Sequence, residues 1–410
     1  MNPLPAVQPI HEKRTLWMLR LYYFIWLGGS CFILPFINLY FTRQGLSGQQ
    51  IGLINSVSAI AMLIASPIWT RWSEQSRHPR LVLQFALIFT GLCWIWLGNL
   101  NIFGLILLVS TLKTLPDSGI WPISDNLALS LTQQIRAGFG SVRVWGSIGC
   151  AVLVLVAGWM VERLGLYSGF IAQAAAMFLS ALILLWIPVD QFQTQSTPSE
   201  KMEQGMGVVL RGLLSNPSLL GFGFMLILIG TGHTGILQFE AVYLDQLGAR
   251  ESLIGVASML GPAVEIPAMF WADRLLRKVS ADFLLLTSLL LNAILFSLVS
   301  LWPAIITILI SRLISGVAFS FYTVSMVGFI GQRSPASQRA TLLAIFNVTI
   351  AGLVSIVASP LSGMAFDAWG GRALYLLAML SYVAGWIVLR VTHRLKARTA
   401  VESLSPLNTP

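Results

Sequence analysis

The sequence predicts an all-α membrane protein in which twelve transmembrane helices form two pseudo-symmetric six-helix bundles. Three observations carry this. Of 410 residues, 56% are hydrophobic and only 10% are charged, against roughly 25% charge in an average soluble domain. Apolar runs of bilayer length follow one another almost without pause. The second half of the chain repeats the first.

A helix needs about 20 apolar residues to cross the hydrocarbon core. Twelve runs qualify: 16–40, 49–70, 81–99, 102–130, 143–162, 167–188, 217–244, 253–274, 282–300, 303–330, 339–362 and 372–391. The fourth, seventh and tenth are long, which implies tilt or a break. Connections are short except for the polar stretch 189–216, "VDQFQTQSTPSEKMEQGMGVVLRGLLSN". It reads as a cytoplasmic linker between an N-terminal bundle, 1–188, and a C-terminal bundle, 217–392, with a tail at 393–410. No small-residue cleavage site follows the first run, so it is read as a membrane helix and not as a removable signal peptide.

Charge fixes the orientation. With the N-terminus in the cytoplasm, 19 of the 25 Lys and Arg residues fall on that face. Four (Arg43, Arg163, Arg250 and Arg372) fall on the other, and only Lys113 and Arg312 lie inside segments. This is the positive-inside asymmetry. It predicts a multi-pass protein of the plasma or inner membrane with both termini cytoplasmic. It also accounts for the net charge of +9 without a nucleic-acid partner.

Internal repetition is visible in "GLSGQQIGLINSVSAIAMLIASPIW" (45–69) and "GARESLIGVASMLGPAVEIPAMFW" (248–271). Gly45 maps to Gly248, Ile51-Gly52 to Ile254-Gly255, and Pro67 to Pro267. Gly158 and Gly165 map likewise to Gly363 and Gly370. Parallel repeats joined by a linker imply a solute path between the halves near the bilayer midplane.

Ionisable groups inside the bilayer are costly and mark function by default. Lys113 and Asp117 are spaced i,i+4 and can neutralise each other, as a structural pair or as part of a solute site. Pro116, Gly119 and Pro122 are expected to loosen the same helix. Asp125, two turns on, is placed to meet Arg143 or Arg136, as a substrate group, a gate or an interfacial salt bridge. The Arg143 fork suits a carboxylate or vicinal hydroxyls. Trp145 either stacks on a ring or anchors at the interface. His233 and Glu240 share a face of the seventh segment, with His233 a relay or a core residue and Glu240 a tuning or interfacial group. Glu265, between Pro262 and Pro267, is the leading proton carrier, either free to titrate or paired with Arg312. The three cysteines, Cys31, Cys93 and Cys150, are far apart, carry no CxxC or metal spacing and read as small core residues. No phosphate-binding GxxxxGK[ST] loop, metal cluster or nucleophile elbow is present in the sequence, so neither ATP-driven transport nor an enzyme is expected, and no cofactor.

Two loops and four helical segments resemble the major facilitator superfamily, a resemblance that covers nearly the whole chain. "ADRLLRK" (272–278) is similar to its signature loop, with Asp273 and Arg274 in the acidic and basic places. "RWSEQSRHPR" (71–80) is a degenerate counterpart with Glu74 in the acidic place. "WPISDNLAL" (121–129), "FGSVRVWGSIG" (139–149), "GTGHTGILQFEAVYL" (230–244) and "VEIPAMF" (264–270) resemble the phenylpropionate permease group, and 139–149 resembles more loosely lactose permease and its oligosaccharide–proton symporter relatives. The resemblance implies secondary transport by alternating access. On the resemblance, Asp125 and Arg143 take the places of substrate-binding groups, and His233 and Glu265 lie in segments that it covers. Trp145 and Lys113 join the first pair as candidates for substrate binding, and Glu265, His233 and Arg312 are the expected proton-coupling groups. Asp117 and Glu240 are then positions where substrate choice is tuned. Two departures are plain. The tenth segment offers only Arg312 where lactose permease has a histidine and a glutamate, and Cys150 stands where that permease has a sugar-stacking tryptophan. The expected cargo is a small organic solute, first an aromatic or other organic acid and second a sugar or nucleoside. Protons and bilayer lipid are the other expected partners, and the chain is expected to act as a monomer. An uncoupled facilitator or exporter of the same fold is the alternative.

Overall fold

The computed structural model describes residues 9–135, 137–187, 207, 209, 211–335 and 338–402. Arg136, Lys201, most of the linker and the last residues of the tail lie outside the described residues. Thirteen α-helices are labelled here: α1 (Pro9–Gly29), α2 (Ile37–Arg43), α3 (Gly48–Gln75), α4 (Pro79–Leu97), α5 (Phe103–Gln134), α6 (Gly140–Leu164), α7 (Tyr167–Ile183), α8 (Pro217–Gln246), α9 (Glu251–Leu276), α10 (Ala281–Leu301), α11 (Ile305–Arg333), α12 (Arg339–Ala344) and α13 (Ala351–Glu402). A 3-10 turn at Ser30–Phe32 separates α1 from α2, and a π-helical turn at Ile345–Ile350 joins α12 to α13. There is no strand among the described residues.

Eleven described runs are long and apolar enough to cross a membrane. The last, Thr341–Thr392, has 52 residues and is broken at Gly370, with φ 74° and ψ 179°. It therefore contains the eleventh and twelfth sequence segments. The three long segments are continuous helices. α5 carries both Pro116 and Pro122 inside 32 unbroken residues, so the expected loosening does not interrupt it.

Helix ends follow local chemistry. Pro79 and Pro217 sit in the first turns of α4 and α8, where a missing N–H costs nothing. The Asn216 side chain accepts the Ser218 N–H at 3.1 Å, and Ser280 accepts the Phe283 N–H at 3.2 Å, each capping an orphan donor. The repeat shows in the backbone itself. Among the described residues the positive-φ glycines are Gly45, Gly165, Gly248 and Gly370, with φ of 84°, 85°, 86° and 74°, two from each half at matching places. Only glycine adopts that region without steric cost.

Two compact units result. The first holds the described residues of Met1–Leu46, Val57–Ser196 and Gly248–Met259; the second holds those of Ser47–Ser56, Thr197–Leu247 and Leu260–Pro410. The first unit packs α1 on α6 and α7, and α4 on α5 and α7, around Tyr22, Tyr23, Trp26, Leu83, Ile120 and Met177. Here Cys31 and Cys150 depart from their expected role: they form a disulfide with Cα atoms 5.5 Å apart. The cause is the close approach of α1 and α6 at Gly28 and Gly149, where neither position has room for a Cβ. Cys93 is buried and free, as a core residue. The second unit packs α8 on α13 and α10 on α11 and α13, with Phe222 stacked on Phe329 at 4.8 Å. Large apolar side chains such as Ile64, Phe85, Ile294 and Val357 remain exposed on the helices, as a hydrocarbon solvent requires.

Candidate functional site

The second unit lines an open cavity of about 580 Å³, within the usual size for a small-molecule site. α8 contributes His233 and Gln238, α9 Glu265, α10 Asn292, α11 Arg312, Phe319 and Tyr322, and α13 Ser355 and Tyr382. The π-helical turn places Asn347 in the same wall. Such turns displace one residue from α-helical register and recur at functional sites.

Arg312 is expected either to leave Glu265 free or to pair with it. The structure gives Arg312 a different partner. Its Nε donates to Glu240 Oε1 in a short hydrogen-bonded ion pair. The Tyr375 hydroxyl donates to the other Glu240 oxygen at 2.8 Å. Glu240 is buried and Arg312 lines the cavity. The seventh segment turns Glu240 inward, so it is not an interfacial residue. Glu265 also lines the cavity, and its carboxylate makes no hydrogen bond or ion pair among the described residues; only its backbone carbonyl accepts one, from Ser320 at 3.0 Å. His233 lies 3.5 Å from the Tyr382 hydroxyl through Nδ1 and faces the Phe296 ring at 5.9 Å between centroids.

The first unit holds the other expected groups. Asp125 accepts the Tyr23 hydroxyl at 2.6 Å and forms no ion pair with Arg143. Instead, the Arg143 guanidinium sits over the Trp121 ring, 4.6 Å from its centroid, a cation–π placement. Trp121 meets Trp26 edge-on at 5.6 Å. Trp145 packs edge-on against Trp17 at 5.7 Å, so Trp121, and not Trp145, is the aromatic partner of Arg143. Lys113 donates to Asp117 at 3.2 Å and also lies over Trp94 at 4.3 Å. Asp273 and Arg274 are exposed in the last turn of α9 and do not line the cavity.

Tyr23, Trp121, Tyr375, Asn292, Asn347, Tyr322 and Tyr382 carry no charge and escape a search for intramembrane ions. Asn292 and Asn347 do leave a trace: each is a lone amide inside an apolar run, "LLLNAILF" and "LAIFNVTI". Tyrosines do not stand out in so aromatic a chain.

Comparison with known proteins places this arrangement. The chain is 27% identical over 371 residues to an uncharacterised transporter of Bacillus subtilis strain 168, covering 89% of this chain and 90% of that one. It is 25% identical to a maltose permease of Geobacillus stearothermophilus, covering 93% and 95% of the two chains. It is 22% identical to a probable 3-phenylpropionic acid transporter of Escherichia coli K12, covering 91% and 96%. The fold resembles the crystal structure of the nucleoside transporter NupG, with a TM-score of 0.80, 15% identity, and coverage of 92% and 99%. It also resembles a bacterial homologue of the lysosomal transporter Spinster, with a TM-score of 0.71, 15% identity, and coverage of 94% and 96%. The profile of the MFS_1-like family matches residues 16–377, and the chain is a multi-pass membrane transporter belonging to that family of the major facilitator superfamily.

Proposed function

We propose that the protein is a proton-coupled symporter that moves a small organic solute by alternating exposure of its site to the two sides of the membrane. Both termini lie in the cytoplasm on this reading, as the distribution of Lys and Arg requires. One observation carries the coupling: within the cavity Arg312 is already neutralised by Glu240, while the Glu265 carboxylate has no described partner. An unpaired charge at the bilayer centre costs at least about 2.5–3.5 kcal/mol. A proton on Glu265 removes that charge, and its release on one side restores it. The site thus has a group whose protonation changes with each cycle. His233, held by Tyr382, stands one helix away as the second group. Asp125 and Arg143 supply polar groups in the first unit, where the guanidinium suits carboxylates and hydroxyls alike. The named relatives include a maltose permease, a probable 3-phenylpropionic acid transporter and, by fold, a nucleoside transporter, so their names alone do not choose the cargo.

The test uses purified protein in proteoliposomes, with the solute found by a thermal-shift screen of aromatic acids, sugars and nucleosides. Glu265→Gln is expected to retain counterflow and lose accumulation driven by an imposed proton gradient. Accumulation that survives in the variant at the wild-type level overturns the coupling and leaves an uncoupled facilitator or an exporter of the same fold.

A further inference from the structure

Charge accounting inside the cavity points to the class of solute, on the reading that this cavity is the solute site. The side chains of Arg312, Glu240 and Glu265 bear on it. Arg312 lines the wall with its side chain 26% exposed. Glu240, 8% exposed, sits behind it and takes its Nε. Glu265 lines the wall alone. The cation is therefore cancelled from behind, and the one group without a counter-charge is a carboxylate, negative or, when it carries the coupling proton, neutral. A solute carboxylate entering this space meets no net positive charge in either state of Glu265. It would be desolvated without compensation, which is costly in a low-dielectric site.

The rest of the wall suits an uncharged solute. The Arg312 Nη groups make no hydrogen bond among the described residues and are not sealed off, so they remain donors for a neutral oxygen. Gln238 keeps its side chain fixed by donating to Ser359 Oγ at 2.6 Å. Asn292 is fixed by donation to the Ser288 carbonyl at 3.0 Å, which leaves its amide oxygen without a described partner. Asn347, Tyr322 and Tyr382 line the same space. Amides and hydroxyls both give and accept hydrogen bonds. Solute hydroxyls do the same, so several can be satisfied at once. Phe319 adds an apolar face for a ring.

We propose that Glu240, by neutralising Arg312 from behind, makes this cavity a site for uncharged, hydroxyl-bearing ring solutes and excludes the corresponding carboxylic acids. Glu240 acts through Arg312 and not by touching the solute, so it is a positioning residue that sets charge selectivity. Tyr375 supports it by holding its second oxygen.

The experiment is equilibrium binding to detergent-purified protein by calorimetry, independent of transport and of proton coupling. The probes are matched triplets that differ only in charge: phenyl β-glucoside, its glucuronide and its 6-amino-6-deoxy analogue; uridine and its 5′-carboxylate and 5′-amino analogues; 3-phenylpropanol, 3-phenylpropionate and 3-phenylpropylamine. The wild type is expected to bind the neutral member of the glucoside or uridine triplet most tightly. Glu240→Gln keeps an oxygen for Arg312 but removes the cancelling charge. It is expected to shift the ratio of acid to neutral affinity toward the acid by about tenfold or more. The double variant Glu240→Gln/Arg312→Gln removes both charges and is expected to keep the wild-type order with weaker binding. It decides the matter if Glu240→Gln alone does not fold: an acid preference in the double variant overturns the proposal. So does a wild type that prefers the acid or the amine, one that binds none of the nine probes, or a folded Glu240→Gln whose charge preference is unchanged. Failure of proton-driven accumulation in Glu265→Gln bears on the coupling and leaves this ranking intact.

Discussion

Gly28 of α1 and Gly149 of α6 meet backbone to backbone: a Cβ on Gly28 would lie 2.6 Å from the Gly149 carbonyl carbon. A Cβ on Gly149 would in turn strike the Phe24 carbonyl oxygen. The obstruction is main chain on both sides, so no side-chain rotation relieves it. Helices in a bilayer associate through such small-residue contacts because no hydrophobic force draws them together. Gly149→Val is expected to destabilise the protein by about 1–3 kcal/mol, the range for overpacked interiors. A dye-based thermal unfolding curve should move to lower temperature; an unmoved midpoint contradicts the contact.

The same approach brings Cys31 and Cys150 to a Cα separation of 5.5 Å, inside the range that disulfides span. Alkylation of the denatured protein without reductant should tag one cysteine, Cys93, and all three after reduction. Peptide mapping should recover residues 31 and 150 cross-linked. Three reactive thiols before reduction would show that the pair is not bonded.

The reach of the sequence is clear from these residues. The twelve segments are legible because every span must be apolar over a fixed length. Four of the repeat glycines are legible because a positive φ strains other residues. Gly45, Gly165, Gly248 and Gly370 all have positive φ in the structure. Partner choice is not legible in the same way. Helical periodicity puts Arg312, Glu240 and Glu265 on faces of three helices, but the rotation of those helices about their axes selects Glu240 for Arg312. Cys31 and Cys150 are separated by 119 residues, and nothing local announces their meeting. Asn347 reaches the cavity wall through a π-helical turn, a departure from regular period that hydrophobic patterning does not report.

A capped helix start gives a third prediction. Asp367 of α13 accepts the N–H groups of Gly48 and Gln49 at 2.6 and 2.9 Å, so one carboxylate satisfies two orphan donors of α3 and complements its dipole. In the first unit, Glu162 of α6 accepts the Ser252 N–H of α9 at 3.3 Å, a longer bond than either to Asp367, and pairs with the exposed Arg250 at 3.7 Å. Cap loss typically costs about 0.5–2 kcal/mol. Asp367→Ala is expected near the upper end and Glu162→Ala near the lower, and Asp367→Asn between wild type and alanine. Thermal midpoints of the three variants check the order. Equal midpoints for Asp367→Ala and the wild type would remove the cap from the account.

The Lys113–Asp117 pair separates structural from functional roles through a double-mutant cycle. Lys113 is 12% exposed and Asp117 34%, and Trp94 covers the ammonium. Removing one partner leaves the other charge without its counter-ion in the bilayer, which is strongly destabilising for buried pairs. Removing both leaves two apolar side chains on a helix that already suits them. Asp117→Leu is therefore expected to lower the thermal midpoint, and Lys113→Met to lower it less, because Asp117 is the more exposed. The double variant should recover to near the wild type. If the pair is structural, the recovered double variant also binds the solute normally. A double variant that is stable yet has lost solute binding would assign Lys113 and Asp117 to the transport path. One that remains as unstable as Asp117→Leu would show that the two charges do not compensate each other at all.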